Sequence, residues 1–153
     1  MNVFDQYPAG GRQLLGRPRN LTGSCRSGYG LALQRLTGES CCAYCGVSLI
    51  VDYYRWLLMS IDHVVPTGEA RRVGISLEFS EDSINLVLCC AGCNGFGNRY
   101  RHEIEPREHW SLEEFLILRD TIFADRFQRI AARRDVELAF FETRPWSRPS
   151  SNR

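Results

Sequence analysis

The chain has 153 residues, enough for one domain with a modest core, and its 19 basic and 18 acidic residues leave a formal net charge of +1. This balance excludes a protein that attracts nucleic acid through its overall charge, so any phosphate-binding surface must come from local clusters of arginine. No segment reaches the roughly 20 apolar residues of a membrane-spanning helix, and the N-terminal stretch lacks the apolar run of a signal peptide, so we expect a cytoplasmic protein without membrane contacts.

The N-terminal region, residues 1–40, is predicted to be an arm followed by a short helix. Residues 1–27 are rich in Gly, Arg, Pro and Ser and show little periodicity, which is typical of an irregular wrapping segment. Apolar residues between positions 29 and 36 predict a short helix. This helix should end at Gly38, because glycine readily adopts the left-handed conformation that stops a helix.

The middle of the chain predicts two strands and a helix. The run YYRWLLMSIDHVVP, residues 53–66, is rich in aromatic and β-branched residues and predicts a strand closed by its proline. Residues 67–83 form a polar connection with room for one short element. A second strand is predicted at 85–89, and it leads into a helix at about 91–102 that two glycines weaken.

The strongest helix signal comes in the last region, residues 105–153, which we expect to pack on the same single domain. Ser111 and Glu114 fit a capping box, and apolar residues then recur at helical spacing as far as Ile130. This long amphipathic helix should place one face on the core. The run VELAFF, residues 136–141, predicts a further strand, and the tail beyond it is expected to fray.

Two pairs of cysteines have the spacing of metal-binding knuckles. Cys42 and Cys45 form one pair, and Cys90 and Cys93 form the other. Two such knuckles complete a tetrahedral site for a structural Zn2+, and two matched pairs are unusual for ordinary core thiols. In a protein without export signals the thiols should stay reduced. The other cysteines lack this spacing and are expected in the core: Cys25, Cys41 and Cys89.

A second set of groups has the chemistry of a hydrolytic site. Asp62 and His63 are adjacent at the end of a predicted strand, where one side chain can hold a divalent cation and the other can accept a proton near neutral pH. Asn94 and Asn98 share one face of the predicted helix, and amide oxygens suit Mg2+. Asn85 should bond to the backbone around His63. Each residue taken singly also has a purely structural explanation.

The ordered succession CAYCG, IDHVVP and NLVLCCAGCN resembles the HNH endonucleases of the ββα-metal nuclease superfamily, in the subgroup stapled by a four-cysteine zinc site. The resemblance covers about residues 42–101, two fifths of the chain. It implies an α+β fold with an HNH nuclease core at 41–104. It also implies a role for each residue of the second set: Asp62 and Asn94 as ligands of a catalytic Mg2+ or Mn2+, Asn98 as a further ligand, His63 as general base, and Asn85 as the residue that orients the histidine loop.

Two positions on the predicted helix need comment. Gly97 stands where many relatives carry Lys, so one expected phosphate contact is missing. Asn at both ligand positions suits Mg2+ or Mn2+ better than a transition metal. His102 continues the face of Asn98; we expect an exposed residue near the helix end rather than a member of the site.

The implied activity is hydrolysis of DNA phosphodiester bonds, with the duplex held mainly through its phosphates. The candidate phosphate contacts are all arginines: Arg71, Arg72, Arg99 and Arg101. No base-reading motif is evident, so specificity must come from a protein partner, a homodimer or the flanking segments. Tyr53, Tyr54 and Trp56 have rings that can stack on bases, but we expect them in the core. The alternative function is a non-catalytic zinc module that binds nucleic acid or another protein.

Overall fold

A small antiparallel sheet, six α-helices and several short 3-10 and π-helical turns form the regular structure of the computed structural model, which describes residues 2–19, 22–97 and 100–147. The elements follow in chain order: α1 (Leu31–Thr37), α2 (Tyr53–Leu57), β1 (Met59–His63), α3 (Thr67–Val73), α4 (Leu77–Ser80), β2 (Leu86–Cys90), α5 (Ala91–Gly97) and α6 (Leu112–Glu142). The expected α+β class is confirmed. Within these described ranges, no helix has the length and apolar character needed to cross a membrane.

The sheet brings the two halves of the motif region together. Strands β1 and β2 pair antiparallel, with Met59 opposite Cys90 and His63 opposite Leu86. Helix α5 follows β2 directly, without an intervening loop. Strand β2 is buried along nearly its whole length, as expected for a strand covered on both faces. The start of α5 therefore lies beside the start of β1, where the Ala91 N–H donates to the Leu58 carbonyl.

The predicted strand at 53–66 was too long, because its first part forms helix α2. The carboxylate of Asp52 accepts a hydrogen bond from the backbone N–H of Arg55 and caps this helix. That local cap outweighs the β-rich composition of the run. Tyr53 and Tyr54 are 63% and 76% exposed, so the expectation that they lie in the core was wrong.

The polar connection is more structured than predicted, and the helix after β2 is shorter. Residues 67–83 contain both α3 and α4. Helix α5 ends at Gly97, and residues 100–110 contain no helix or strand, so the predicted helix to residue 102 was wrong there. His102 consequently does not continue a helical face; its ring stacks on Tyr100 instead.

The capping box at the start of α6 is confirmed, but the helix runs much further than predicted. Ser111 accepts a hydrogen bond from the N–H of Glu114, whose carboxylate accepts one in return from the N–H of Ser111. The predicted strand at 136–141 is instead the last part of α6. Glu, Leu and Ala there favour a helix that is already nucleated. The helix packs on the core as far as Ile130, whereas every residue from 132 to 147 is exposed.

The N-terminal arm contributes to the core rather than only wrapping it. Phe4 is fully buried, and the Tyr7 hydroxyl donates a hydrogen bond to the Leu86 carbonyl on β2. The guanidinium of Arg119, from α6, lies 3.6 Å from the centre of the Phe4 ring and donates to the Gly11 carbonyl. These contacts fix α6 against β2 through the arm, and so set where α6 meets the end of β1.

Candidate functional site

The four paired cysteines converge, as their spacing predicted. Their Sγ atoms all lie within 4.8 Å of one another. Cys42 and Cys45 come from a tight turn closed by Gly46, whose positive φ of 72° suits glycine. Cys90 ends β2 and Cys93 lies in the first turn of α5, where its backbone N–H donates to the Cys90 sulfur. Each pair is therefore a knuckle with its sulfurs facing the other pair.

The spacing of the sulfurs suits a zinc ion. Sγ of Cys45 and Sγ of Cys90 are 3.8 Å apart, and Zn–S bonds of about 2.3 Å place the sulfurs of a tetrahedral site about 3.8 Å apart. A hydrogen bond between Cys42 and Cys90 lowers the pKa of the Cys90 thiol and raises that of Cys42. A cation bound among the four sulfurs would stabilise their thiolate forms. The four cysteines can thus hold Zn2+.

The three remaining cysteines lie in different surroundings. Cys89 is buried, as expected, and burial raises the pKa of its thiol. Cys41 is half-buried beside the knuckle turn. Cys25 is exposed at the start of a short π-helical turn, so its assignment to the core was wrong. Cysteine is often buried, and this general tendency did not reveal that Cys25 begins a turn with its side chain exposed.

Asp62 is buried, only 8% exposed, and one of its two carboxylate oxygens is already engaged. The Tyr44 hydroxyl donates a hydrogen bond of 2.5 Å to Oδ2, and the Arg126 guanidinium lies 2.7 Å from the same oxygen. Burial raises the pKa of Tyr44, and the nearby Asp62 charge raises it further. No described residue donates a hydrogen bond to Oδ1, which leaves that oxygen for another ligand.

Arg126, from the middle of α6, was not identified as a site residue from the sequence. It is 2% exposed, and its Nη1 donates to the backbone carbonyls of His63 and Val64 at 2.7 and 2.8 Å. It lies 63 residues beyond His63, which is why motif spacing did not reveal it. One signal was available: Arg126 falls between Ile122 and Ile130 at helical spacing, on the buried stripe of α6.

Gly97 explains how a guanidinium fits at this position. A Cβ atom added at Gly97 would lie 2.5 Å from Nη2 of Arg126, closer than nonbonded atoms approach. Any side chain at position 97 would therefore displace the arginine. The absence of a lysine here leaves room for a different cationic residue, which α6 provides.

His63 lies at the edge of the cavity that contains Asp62. Its side chain is 33% exposed, and Nε2 is 3.5 Å from a carboxylate oxygen of Glu81. Asp62 and His63 point to opposite faces of β1, yet both border a cavity of about 280 Å³. On its other side His63 borders a second cavity, of about 310 Å³, together with Glu81. The histidine is therefore accessible from two directions.

Asn94 borders the same 280 Å³ cavity from helix α5. Its amide nitrogen donates a hydrogen bond of 2.9 Å to the Ser60 hydroxyl on β1. This bond turns the amide oxygen away from Ser60, and no described residue donates a hydrogen bond to that oxygen. Asn98, the other candidate on this helix, lies outside the described residues.

Asn85 is fully buried and holds the loop that follows β1, as predicted. Its Oδ1 accepts a hydrogen bond from the Val65 N–H, and its Nδ2 donates to the carbonyls of Val65 and Ser80. Its own carbonyl accepts a bond from the N–H of Val64. Asn85 is not a lining residue of the cavity with Asp62. It acts on His63 only through the backbone that follows it.

The arginines predicted to contact phosphate differ in how free they are. Arg72 and Arg101 both form ion pairs with Glu69, and Arg72 also donates to nearby carbonyls. Arg71 is exposed. Arg99 lies outside the described residues. Because Glu69 offsets part of the positive charge, this surface is less basic than the sequence suggested.

Comparison of the chain with family models, curated proteins and solved structures found no match. The interpretation of the site therefore depends on the groups that line it. These comprise a carboxylate, a side-chain amide, an imidazole and a guanidinium, from four residues that border one cavity in a molecule that also has a four-sulfur cluster.

Proposed function

We propose that this protein is a metal-dependent HNH endonuclease that hydrolyses DNA phosphodiester bonds. The order of β1, β2 and α5, with one cysteine pair before β1 and the other where β2 joins α5, supports a ββα-metal finger held together by zinc. The observation that carries the proposal is the cavity where Asp62, His63 and Asn94 meet. A general base beside two hard oxygen ligands is the combination that metal-assisted hydrolysis requires.

Asp62 and Asn94 are the residues that would hold Mg2+ or Mn2+, with Asn98 as a further candidate. Carboxylate and amide oxygens are the donor type that Mg2+ prefers, and both residues border a cavity with room for the water ligands that the ion retains. When bound, the ion would offset the charge that develops on the phosphate. Asn85 would keep the histidine loop in place.

His63 would act on the attacking water. Its imidazole accepts a proton from the water, the water oxygen bonds to phosphorus, and the bond from phosphorus to the 3′ oxygen breaks. The departing oxygen takes up a proton, so the products carry a 5′-phosphate and a 3′-hydroxyl. Glu81, beside Nε2, favours the tautomer with its proton on that nitrogen and leaves Nδ1 as the accepting atom.

Plasmid nicking tests this proposal. With Mg2+ or Mn2+, the purified zinc-loaded protein should convert supercoiled plasmid to the nicked form, and His63→Ala should be slower by about 10²–10⁴-fold because the general base is lost. His109→Ala is the matched control, because that histidine is exposed and lies outside the cavity. Equal rates for wild type and His63→Ala would rule out His63 as the base.

The Asp62–Arg126 ion pair favours a second candidate: a non-catalytic zinc module that binds nucleic acid or another protein. A neutralised carboxylate attracts a metal ion less strongly than a free one. DNA binding without cleavage, in folded protein supplied with several divalent metals, would support this function instead. The exposed end of α6 offers a surface for a protein partner or a homodimer, which sedimentation of the full chain would detect.

A further inference from the structure

The cavity that contains Asp62 carries no net formal charge among its described lining residues. Asp62 and Arg126 have opposite charges, and the others are neutral when His63 is unprotonated. A divalent cation gives up part of its hydration only in exchange for strong, usually negative, ligands. One neutralised carboxylate and one amide oxygen compensate only weakly for the hydration that the cation loses. The free protein is therefore a poor site for Mg2+ or Mn2+.

In the native chain, several contacts hold Arg126 beside Asp62. Its Nη1 donates to two backbone carbonyls, and its Nη2 pairs with Asp62 in the space that Gly97 leaves open. The side chain is almost completely buried. The guanidinium is thus a fixed part of the site, and its charge opposes cations whenever the cavity lacks another anion.

We infer that Arg126 makes binding of the catalytic divalent cation conditional on the substrate phosphate, which supplies the negative charge that Arg126 removes from Asp62. The inference rests on the proposed nuclease function. A phosphate entering the cavity is attracted by Arg126 and in turn attracts the cation to Asp62 and Asn94. Because such coupling is reciprocal, cation and DNA must raise each other's affinity by the same factor.

Mn2+ binding, followed by electron paramagnetic resonance, measures this coupling without relying on cleavage. The zinc-loaded full chain carrying His63→Ala is used throughout, so that a short DNA duplex stays intact. We expect the duplex to increase Mn2+ affinity by about tenfold or more, within the usual range of coupling between sites. Mn2+ titrated into the duplex alone provides the background.

Arg126→Met, in the same background, separates the electrostatic role from a structural one. Without the guanidinium, the free protein should bind Mn2+ about tenfold more tightly, and the effect of the duplex should shrink. If Arg126 only holds Asp62 in position, Arg126→Met should instead lower the Mn2+ affinity of the free protein, because Asp62 would no longer be held in place. Arg126→Lys keeps the charge and should keep the dependence on DNA.

Gly97→Ala provides a second variant in case Arg126→Met does not fold, as judged by zinc content and circular dichroism. The added methyl group displaces the guanidinium from Asp62 and should also increase Mn2+ affinity in the absence of DNA. Mn2+ affinity that is equal with and without duplex would overturn the inference and leave the nuclease proposal intact. No Mn2+ binding in either condition would overturn the nuclease proposal, and the inference with it.

Discussion

The two candidate metal centres share helix α5 but assemble their ligands in different ways. At the cysteine cluster, four sulfurs from two local turns face one another. At the neighbouring cavity, the Asp62 carboxylate is bound by Tyr44 and by Arg126 of the distant helix α6. The first centre is encoded by short spacings, whereas the second depends on how the whole chain folds. Changes to the cluster should therefore affect folding, and changes around the cavity should leave zinc in place.

Loss of a cluster cysteine should have the largest effect. Cys90→Ser removes one of four zinc ligands, and structural zinc contributes apparent binding energies of about 10–16 kcal/mol in small metal-folded peptides. Elemental analysis should find about one zinc per wild-type chain, and the variant should lose both the zinc and its cooperative unfolding transition.

Cys25→Ser is the matched control for that experiment, because Cys25 is exposed and lies outside the cluster. It should retain wild-type zinc content and thermal stability. A fully folded Cys90→Ser protein with normal zinc content would show that the cluster is not the structural centre.

Asn85→Ala should have an intermediate effect on stability and should leave the cysteine cluster unchanged. The substitution removes three buried hydrogen bonds to Val65 and Ser80, which we expect to lower the free energy of unfolding by about 3 kcal/mol. Urea denaturation measures the change, and zinc content should stay at the wild-type level. Ser76→Ala, at an exposed serine without a capping hydrogen bond, should change little. Loss of zinc from Asn85→Ala would show that the two centres are not independent.

Ser111→Ala should have the smallest effect, because Ser111 belongs to neither centre. Loss of this cap should lower stability by about 1 kcal/mol. Hydrogen bonds from Ser111 hold the pKa of Glu114 below its usual range. The cap therefore stabilises the folded protein fully at pH values above the ordinary carboxyl pKa, and this stabilisation is lost as the pH falls through the lowered pKa of Glu114. The difference between variant and wild type should therefore narrow in acid.

Thermal unfolding at neutral and acidic pH measures that difference. Thr121→Ala is a suitable control, because its exposed hydroxyl bonds only within α6. If the difference in stability between Ser111→Ala and wild type increased at acidic pH, the assigned role of the capping box would be contradicted.

What the sequence predicted well depends on short-range patterns. The cysteine spacing, the stop at Gly38 and the cap at Ser111 each involve a few neighbouring residues, and all three are present in the structure. The predicted secondary structure was wrong where a helix cap or an already formed helix outweighed the β-propensity of the segment. Asp52 caps a helix inside a β-rich run, and the helix begun at Ser111 continues through a segment of mixed propensity.

The candidate site was predicted only as far as its motif residues. Asp62, His63 and Asn94 were identified because they occur in a recognisable order with the two cysteine pairs along the sequence. Arg126 and Glu81 come from other elements and are recognisable only once the chain has folded. The sequence thus predicted the residues that meet at the cavity, but not the charged side chains that other elements place beside them.

The exposed end of α6 has a consequence for local motion. From residue 132 to 147 every residue is exposed, and the contacts found there are local, such as the Arg133–Glu137 ion pair and the ring contact of Phe141 with Trp146. Helical segments this short are only marginally stable in water without packing on a core. The amide hydrogens of this exposed end should exchange with solvent through local fraying. Around Arg119 and Arg126, exchange should instead require the core itself to open, so one continuous helix would contain both fast-exchanging and slow-exchanging amides.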